Sequence, residues 1–280
     1  MDAPPPSGPG YADWNGPFED AGPSADGAAA LALRLQPHHL NTGARMHGAL
    51  VMGMLKLAHE RAARARLATA GGPPPLLASL QLDFVDAAAE GERVLASSAI
   101  TRVTRSLVFV RGELRAGDRT VATGSSIFRR PAAMPPACAP ASAQSAALPD
   151  GCGPLRARAP FSLHAGPVYE QGVGDDRTTV LPIGERHLHV DGQRADEGAA
   201  LLLADLALGT CARDAARGAP CVALSMQLSC FGEVRRGDLL VARARLQGGA
   251  GGIQAIVAEF HVGTARVMAA AGSWKVLHAS

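Results

Sequence analysis

The sequence predicts an α+β fold of two tandem copies, each a long central helix wrapped by a curved antiparallel sheet, and three observations point there. At 280 residues the chain exceeds the usual size of one compact domain. Between 130 and 160 it reads RPAAMPPACAPASAQSAALPDGCGPLRARAP, rich in Pro, Ala and Ser without apolar periodicity, as a linker would. On either side of that stretch the same order of features appears twice. The expected division is a first copy at 14–131, a linker at 132–159 and a second copy at 160–280.

Each copy opens on an aromatic residue followed by Gly-Pro, Phe18 with Gly22-Pro23 and Phe161 with Gly166-Pro167. Alternating apolar residues in AAALALRL (28–35) and TTVLPI (178–183) suit a first strand. His39-Leu40-Asn41 and His187-Leu188-His189 come next, then a glycine turn, then long helical stretches at 47–67 and 197–217. After each helix, LLASLQLDF (76–84) parallels CVALSMQLSCF (221–231). Three more strands are expected at 92–103, 107–116 and 119–129, and at 238–247, 253–262 and 265–277. A helix of about 20 residues beside so few β-residues must be covered over most of its surface by one curved sheet. Two such sheets joined edge to edge remove edges that invite aggregation.

Composition excludes several classes of function. Net charge is +2 and the arginines are scattered, so no nucleic-acid footprint is expected. The first residues, MDAPPPSGPGYADWNGPFED, have neither a basic start nor an apolar stretch, and no window of about 18 residues is apolar and uncharged. A cytoplasmic protein without membrane contact is expected. The five cysteines (Cys138, Cys152, Cys211, Cys221, Cys230) form no C-x-x-C pair, which suits reduced thiols, and no metal site is expected.

The segment HLNTGARMHGALVMGMLKLA (39–58) resembles the helix entry of hotdog acyl-CoA thioesterases of the phenylacetate-pathway type, roughly N-x-x-G-x-x-H-G-G with an acid two helical turns on. Asn41, Gly43, His47 and Gly48 match, while Ala49 replaces the second glycine. The strands at 78–94 and 101–130 resemble the same family. In the second copy Gly192 aligns with Gly43, Asp196 with His47, Glu197 with Gly48 and Asp205 with Lys56. The first copy therefore lacks the acid, and the second lacks the His-Gly turn. In this family the site is composite, the His-Gly turn and Asn of one protomer facing the helix acid of the other. The resemblance thus implies a double hotdog with one intact site of Asn41, His47, Gly48 and Asp205, and a mirror-image site holding Lys56 opposite Asp196 and Glu197.

Thioester hydrolysis needs a donor at the carbonyl oxygen, which an unpaired amide at a helix N-terminus supplies, and a base or nucleophile on the far side of the carbon. Gly48 suits the first role and Asp205 the second, directly or through a water held by Asn41, with His47 orienting the turn. Taken singly, Gly48 reads equally as a turn glycine, His47 as a capping histidine and Asp205 as a hydrogen-bonded buried acid. Complementary loss in the two copies favours the functional reading. The family's Ser or Thr on the strand after the helix is Ala223 here, and Ser225, two residues on, is its candidate substitute. Arg102 and Arg105, with Arg111, Arg235, Arg236 and Arg243, are candidates for coenzyme A phosphates, against their plainer reading as solvated surface.

The expected function is hydrolysis of an acyl-CoA thioester, the thioester being substrate and no cofactor being needed; a homodimer of the fused pair is expected. One rival is a non-catalytic acyl-CoA-binding or scaffold protein. Another is an enoyl-CoA hydratase, since YADWNGPF (11–18) resembles that family's A-D-x-N-P-x-H signature, with Phe18 in the place of its histidine.

Overall fold

The computed structural model describes residues 10–23, 29–68, 75–130, 147–156, 158–172, 177–190, 192 and 194–277. Most of the expected linker, and Cys138 within it, lie outside the described residues. The first half runs α1 (Tyr11–Trp14), β1 (Glu19–Pro23), β2 (Ala29–Arg34), α2 (Gly48–Ala68), β3 (Leu76–Phe84), β4 (Arg93–Val103), β5 (Leu107–Ala116) and β6 (Arg119–Arg129). The second runs β7 (Gly153–Pro154), α3 (Pro160–Ala165), β8 (Tyr169–Gln171), β9 (Thr178–Pro182), α4 (Glu197–Ala215), β10 (Cys221–Cys230), β11 (Leu239–Ala250), β12 (Ile253–Val262) and β13 (Ala265–Val276). Short 3-10 turns, Pro37–His39 and Glu185–His187, precede the two long helices.

Both long helices and every expected strand form within a few residues of the spans read from hydrophobic period. One strand before each helix was too few. The extra strands β1, β7 and β8 are only two to five residues long and carry no apolar alternation to announce them. All strands join one antiparallel sheet in the order β1-β2-β4-β5-β6-β3-β10-β13-β12-β11-β9-β8-β7. Its centre is the pairing of β3 with β10, from Ser225 opposite Asp83 to Ser229 opposite Ser79, so the halves share a continuous ladder.

The helices lie on one side of this sheet, α2 against β2 to β6 and α4 against β9 to β13, and they touch each other. Neither has the single apolar stripe of a surface helix. In α2, Ala49, Leu50, Val51, Met52, Met54, Leu55, Ala58 and Ala63 are all buried, and nearly the whole of α4 is buried too. Each faces sheet on one flank and its neighbouring helix on another, so little of its circumference meets water. On the sheet, β4 turns Val94, Ala96 and Ser98 inward in strict alternation. In β3 a bulge between Leu77 and Ser79 shifts the inward set to Leu77, Leu80 and Leu82. Phe128 and Phe260, fully buried, anchor the two halves of the core, each contributing about 1.5–3 kcal/mol.

The start of the repeat needs correction. Gly22-Pro23 ends β1, where the register with β2 is irregular, and does not correspond to Gly166-Pro167. The equivalent segments are YADWNGP (11–17) and FSLHAGP (161–167), each a short helix running into Gly-Pro. They are exchanged between halves. The Tyr11 amide donates to the Leu188 carbonyl at 2.8 Å, and the Phe161 amide donates to the Leu40 carbonyl at 3.1 Å. Each segment thus lies on the helix entry of the opposite half.

Candidate active site

The entry to α2 is built by backbone bonds before any side chain acts. The His47 amide donates to the His39 carbonyl and the Met46 amide to the Ala88 carbonyl, which pins the turn between the 3-10 segment and the β3–β4 connection. Within the turn, Asn41 Oδ1 accepts from the amides of Gly43 at 2.8 Å and Arg45 at 3.1 Å. Asn41 therefore serves the turn itself, and its hydrogen bonds run away from Asp205.

Asp205 reaches this entry from the middle of α4. Its Oδ2 accepts from the Ala49 amide at 3.1 Å and lies 3.0 Å from His47 Nδ1, with the carboxylate side chain 15% exposed. The Ala49 amide also lies 3.2 Å from Nδ1. Nδ1 accepts that N–H, so His47 Nδ1 and Asp205 Oδ2, 3.0 Å apart, share the Ala49 amide. Phe161, from the exchanged segment, packs its ring 5.1 Å from the His47 ring and holds it in place.

Gly48 begins the helix, and its amide has no hydrogen-bond partner among the described residues, as the first amides of a helix lack internal acceptors. An added Cβ there would stand 2.9, 3.1 and 3.2 Å from Asp205 Oδ1, Oδ2 and Cγ. The glycine is thus required by the close approach of the acid itself. Gly48→Ala is expected to fold normally, because only the end of one side chain must give way. It should lower kcat for a reaction that uses this carboxylate about 10–100-fold by displacing it. A rate assay with a thermal melt reads both effects, and an unchanged rate would deny Asp205 its place in the chemistry.

The arrangement therefore combines an unpartnered amide and a half-sheltered carboxylate at one helix mouth. Asp205, His47, Gly48 and the Ala49 amide, which sequence did not single out, come together. Ser225 does not join them. Met226, Leu228 and Cys230 point into the core, and a bulge between Ala223 and Ser225 breaks the parity that would have put those two residues on one face. Ser225 sits on the outer side, its hydroxyl 2.8 Å from that of Ser273. Arg102 and Arg105 are also remote. The α2 entry is bonded just before β4 begins, whereas these exposed arginines sit at the far end of that eleven-residue strand, about 35 Å along it. Arg111 and Arg243 stand exposed on the sheet, and Arg235 and Arg236 pair with Glu233 and Glu185.

The equivalent entry to α4 holds different chemistry. Lys56, almost wholly buried, places its Nζ 2.7 Å from Glu60, 3.1 Å from Asp196 and 2.9 Å from Glu197. Asp196 caps α4 by accepting from the Gly198 amide at 2.7 Å. Arg64 adds bonds to Glu60 at 2.5 Å and His189 at 2.6 Å, and Arg194 pairs with Glu197 at 2.9 Å. An ammonium beside the positive end of a helix is unfavourable, and the three carboxylates offset that cost. Burial alone would lower the Lys56 pKa, but Asp196, Glu197 and Glu60 raise it well above its ordinary value. Glu60, His189 and Asp196 have the spacing of metal ligands, yet the Lys56 ammonium bonds two of them. The expected opposition of Lys56 to Asp196 and Glu197 is what the geometry contains, enlarged by Glu60, Arg64 and His189.

Comparisons with known proteins agree with this architecture. Residues 43–123 match the family model of the thioesterase superfamily. Among solved structures, an acyl-CoA thioesterase II from Mycobacterium marinum superposes with a TM-score of 0.62 at 14% identity, covering 90% of this chain and 92% of that one. A conserved protein with a hotdog fold from Alicyclobacillus acidocaldarius gives 0.64 at 14%, covering 92% and 96%. A 12:0-ACP thioesterase from Umbellularia californica gives 0.59 at 12%, covering 89% and 94%. No curated protein matched the sequence. At these identities the likeness establishes a hotdog fold. No helix among the described residues is long and apolar enough to cross a membrane.

Proposed function

We propose that this hotdog protein, whose residues 43–123 match the thioesterase superfamily, hydrolyses acyl-CoA thioesters at one composite site between two tandem hotdog copies. The copies are taken as 14–131 and 160–280, the substrate is the coenzyme A thioester itself, and the compartment proposed is the cytoplasm. The observation that carries the reading is the Asp205 carboxylate of α4 bonded to the Ala49 amide and lying 3.0 Å from His47 Nδ1 at the mouth of α2, beside the unpartnered Gly48 amide.

In that geometry the Gly48 N–H donates to the thioester carbonyl oxygen as negative charge gathers there, aided by the positive end of α2. Asp205 accepts a proton from a water whose oxygen bonds to the carbonyl carbon. The carbon–sulfur bond breaks, and the proton held by Asp205 returns to the departing thiolate, giving the acid and free coenzyme A. The Ala49 N–H, shared between His47 Nδ1 and Asp205, keeps the carboxylate aimed.

A second reading is favoured by one observation. Ser225 lies on the outer face, and no other hydroxyl is bonded to Asp205 among the described residues, so a protein that binds acyl-CoA without turning it over is the alternative. Incubation with a panel of acyl-CoA thioesters under a free-thiol assay separates the two. Thiol release that requires Asp205 supports the hydrolase, and binding without release supports the alternative.

A further inference from the structure

The long helices occupy one side of the sheet, and the side chains on its other side are exposed or half-exposed. There the pairing of β3 with β10 sets Gln81 opposite Gln227, both exposed, with Asp83 opposite Ser225 and Ser79 opposite Ser229. The motif Ser79-x-Gln81 on one strand matches Ser225-x-Gln227 on the other, so a pseudo-two-fold axis leaves the sheet between the two glutamines. Beyond them the outward residues are small: Thr123 and Ser125 on β6, Ala269 and Ala271 on β13. A surface this level lets a second sheet lie on it at the usual spacing of about 10 Å.

Two open grooves flank that axis, one in each half, and they differ in charge. The first-half groove, about 560 Å³, holds Asp83 and Glu113 with one arginine, Arg111. The second-half groove, about 350 Å³, holds Arg243, Arg245 and Arg266 with one carboxylate, Glu259. Strand register makes them corresponding places. Arg111 pairs across to Ser125 and Glu113 to Thr123, as Val257 does to Ala271 and Glu259 to Ala269. The next strand contributes Ser97 and Ala99 in the first half and Arg243 and Arg245 in the second. Two equivalent positions are therefore neutral on β4 and cationic on β11. Glu259 pairs with Arg266 at 3.1 Å, whereas Asp83 and Arg243 make no ion pair among the described residues.

We propose that this outer face binds a second copy of the chain, about a two-fold axis parallel to the strands that sets the first-half groove of each copy on the second-half groove of the other. Acidic groove then meets basic groove twice. A two-fold axis running across the strands would instead stack arginine groove on arginine groove. The eight strands from β4 to β11 span about 38 Å at the usual spacing of ~4.8 Å, and six residues of each run about 20 Å. That covers on the order of 750 Å² per copy, close to the ~800 Å² per partner of a stable specific interface. The homodimer expected from the sequence gains a defined surface in this way. Both helix faces point outward in it, so it neither requires nor disturbs turnover at Asp205.

Sedimentation of the full chain tests the pairing. The unaltered protein should travel as two copies and dissociate as salt is raised, because exposed charges are screened. Arg243→Glu with Arg245→Glu makes both grooves acidic, and Asp83→Lys with Glu113→Lys makes both basic. Each double variant should weaken self-association at least about 100-fold, since like charges facing one another across an interface are strongly unfavourable. All four side chains lie on the outer surface, so thermal midpoints should change little. The four changes in one chain exchange the charges of the two grooves and should restore association to within about tenfold of the unaltered protein. Sedimentation of the unaltered chain as one copy at up to about 100 μM would overturn the proposal. So would a dimer that neither double variant weakens, or a folded fourfold variant that stays single. A single copy that binds tripolyphosphate in calorimetry, and loses it with Arg243→Glu and Arg245→Glu, would give the arginine groove to a small anion and overturn it as well.

Discussion

Asp205→Asn should lower kcat for acyl-CoA hydrolysis about 10²–10⁴-fold, the range associated with loss of a positioned base. The substitution keeps size and one acceptor oxygen, so the bond from the Ala49 amide survives. What disappears is the ability to take a proton from water. Binding of an uncleavable thioether analogue and the thermal midpoint should therefore remain near those of the unaltered protein. Thiol release measured beside calorimetry decides the matter, and a variant that still turns over at a rate within a few fold would remove Asp205 from the mechanism. The expectation is sharp because the two mouths are not equivalent. At the other one a lysine occupies the acid's position, and the carboxylates there are engaged by its ammonium.

Lys56→Met should cost about 3–5 kcal/mol of folding stability, as expected when one member of a buried charge network is removed and the others stay. Methionine matches the stem of lysine, so the loss is chiefly electrostatic. Glu60, Asp196 and Glu197 would remain buried without the central ammonium. Chemical denaturation of the variant against the unaltered protein measures the difference. A loss below about 1 kcal/mol would show that water enters the site and screens the carboxylates.

The same network sets a window of pH. Burial favours a neutral Glu60, but Lys56, the His189 bond and Arg64 outweigh it and hold the carboxyl well below its ordinary pKa; Glu197 is lowered chiefly by Lys56. Depressed carboxyls contribute stability above their unfolded pKa, near 4.3, and that contribution is lost as pH falls. The raised lysine contributes below its unfolded value, near 10.4, and its share is lost as pH rises. The network's own contribution should hence be flat from roughly pH 5 to 10, whereas His39 and His59, pushed down to about 4 by burial, begin to cost stability below about pH 6.5 and the Cys230 thiol, pushed up by burial, above about pH 8.5, so the thermal midpoint should be highest between those two. In Lys56→Met the fall above about pH 10 should be shallower, and an unchanged slope there would mean that some other group governs it.

Much of this was readable from residue order, and the reasons are specific. Strand spans followed hydrophobic period because the long strands bury alternate residues, while the helix spans followed from long, largely apolar stretches, since α2 and α4 are buried on most sides. The approach of Asp205 to the His47–Gly48 turn, and of Lys56 to Asp196 and Glu197, was expected from aligning the two halves of the sequence on the order of features they share. Other features depend on geometry that pattern does not carry. The bulge beside Ala223 turned Ser225 outward, against a parity argument that assumes an unbroken strand. Arg102 and Arg105 were placed by charge alone, and the direction of β4 carries them away. The exchange of the segments at Tyr11 and Phe161 was available in the identical spacing of aromatic to Gly-Pro, but the nearer Gly22-Pro23 disguised it.

That exchange has a consequence for the molecule as a covalent object. Because each aromatic segment closes over the opposite helix entry, neither half carries its own cover. Expressed separately, residues 10–130 and 147–277 would each present an uncapped helix mouth and a bare edge of ladder at β3 or β10. A single cut between 131 and 146 should leave two fragments that co-elute as one particle and lose nothing in activity. Cohesion then belongs to the crossed segments and the shared sheet.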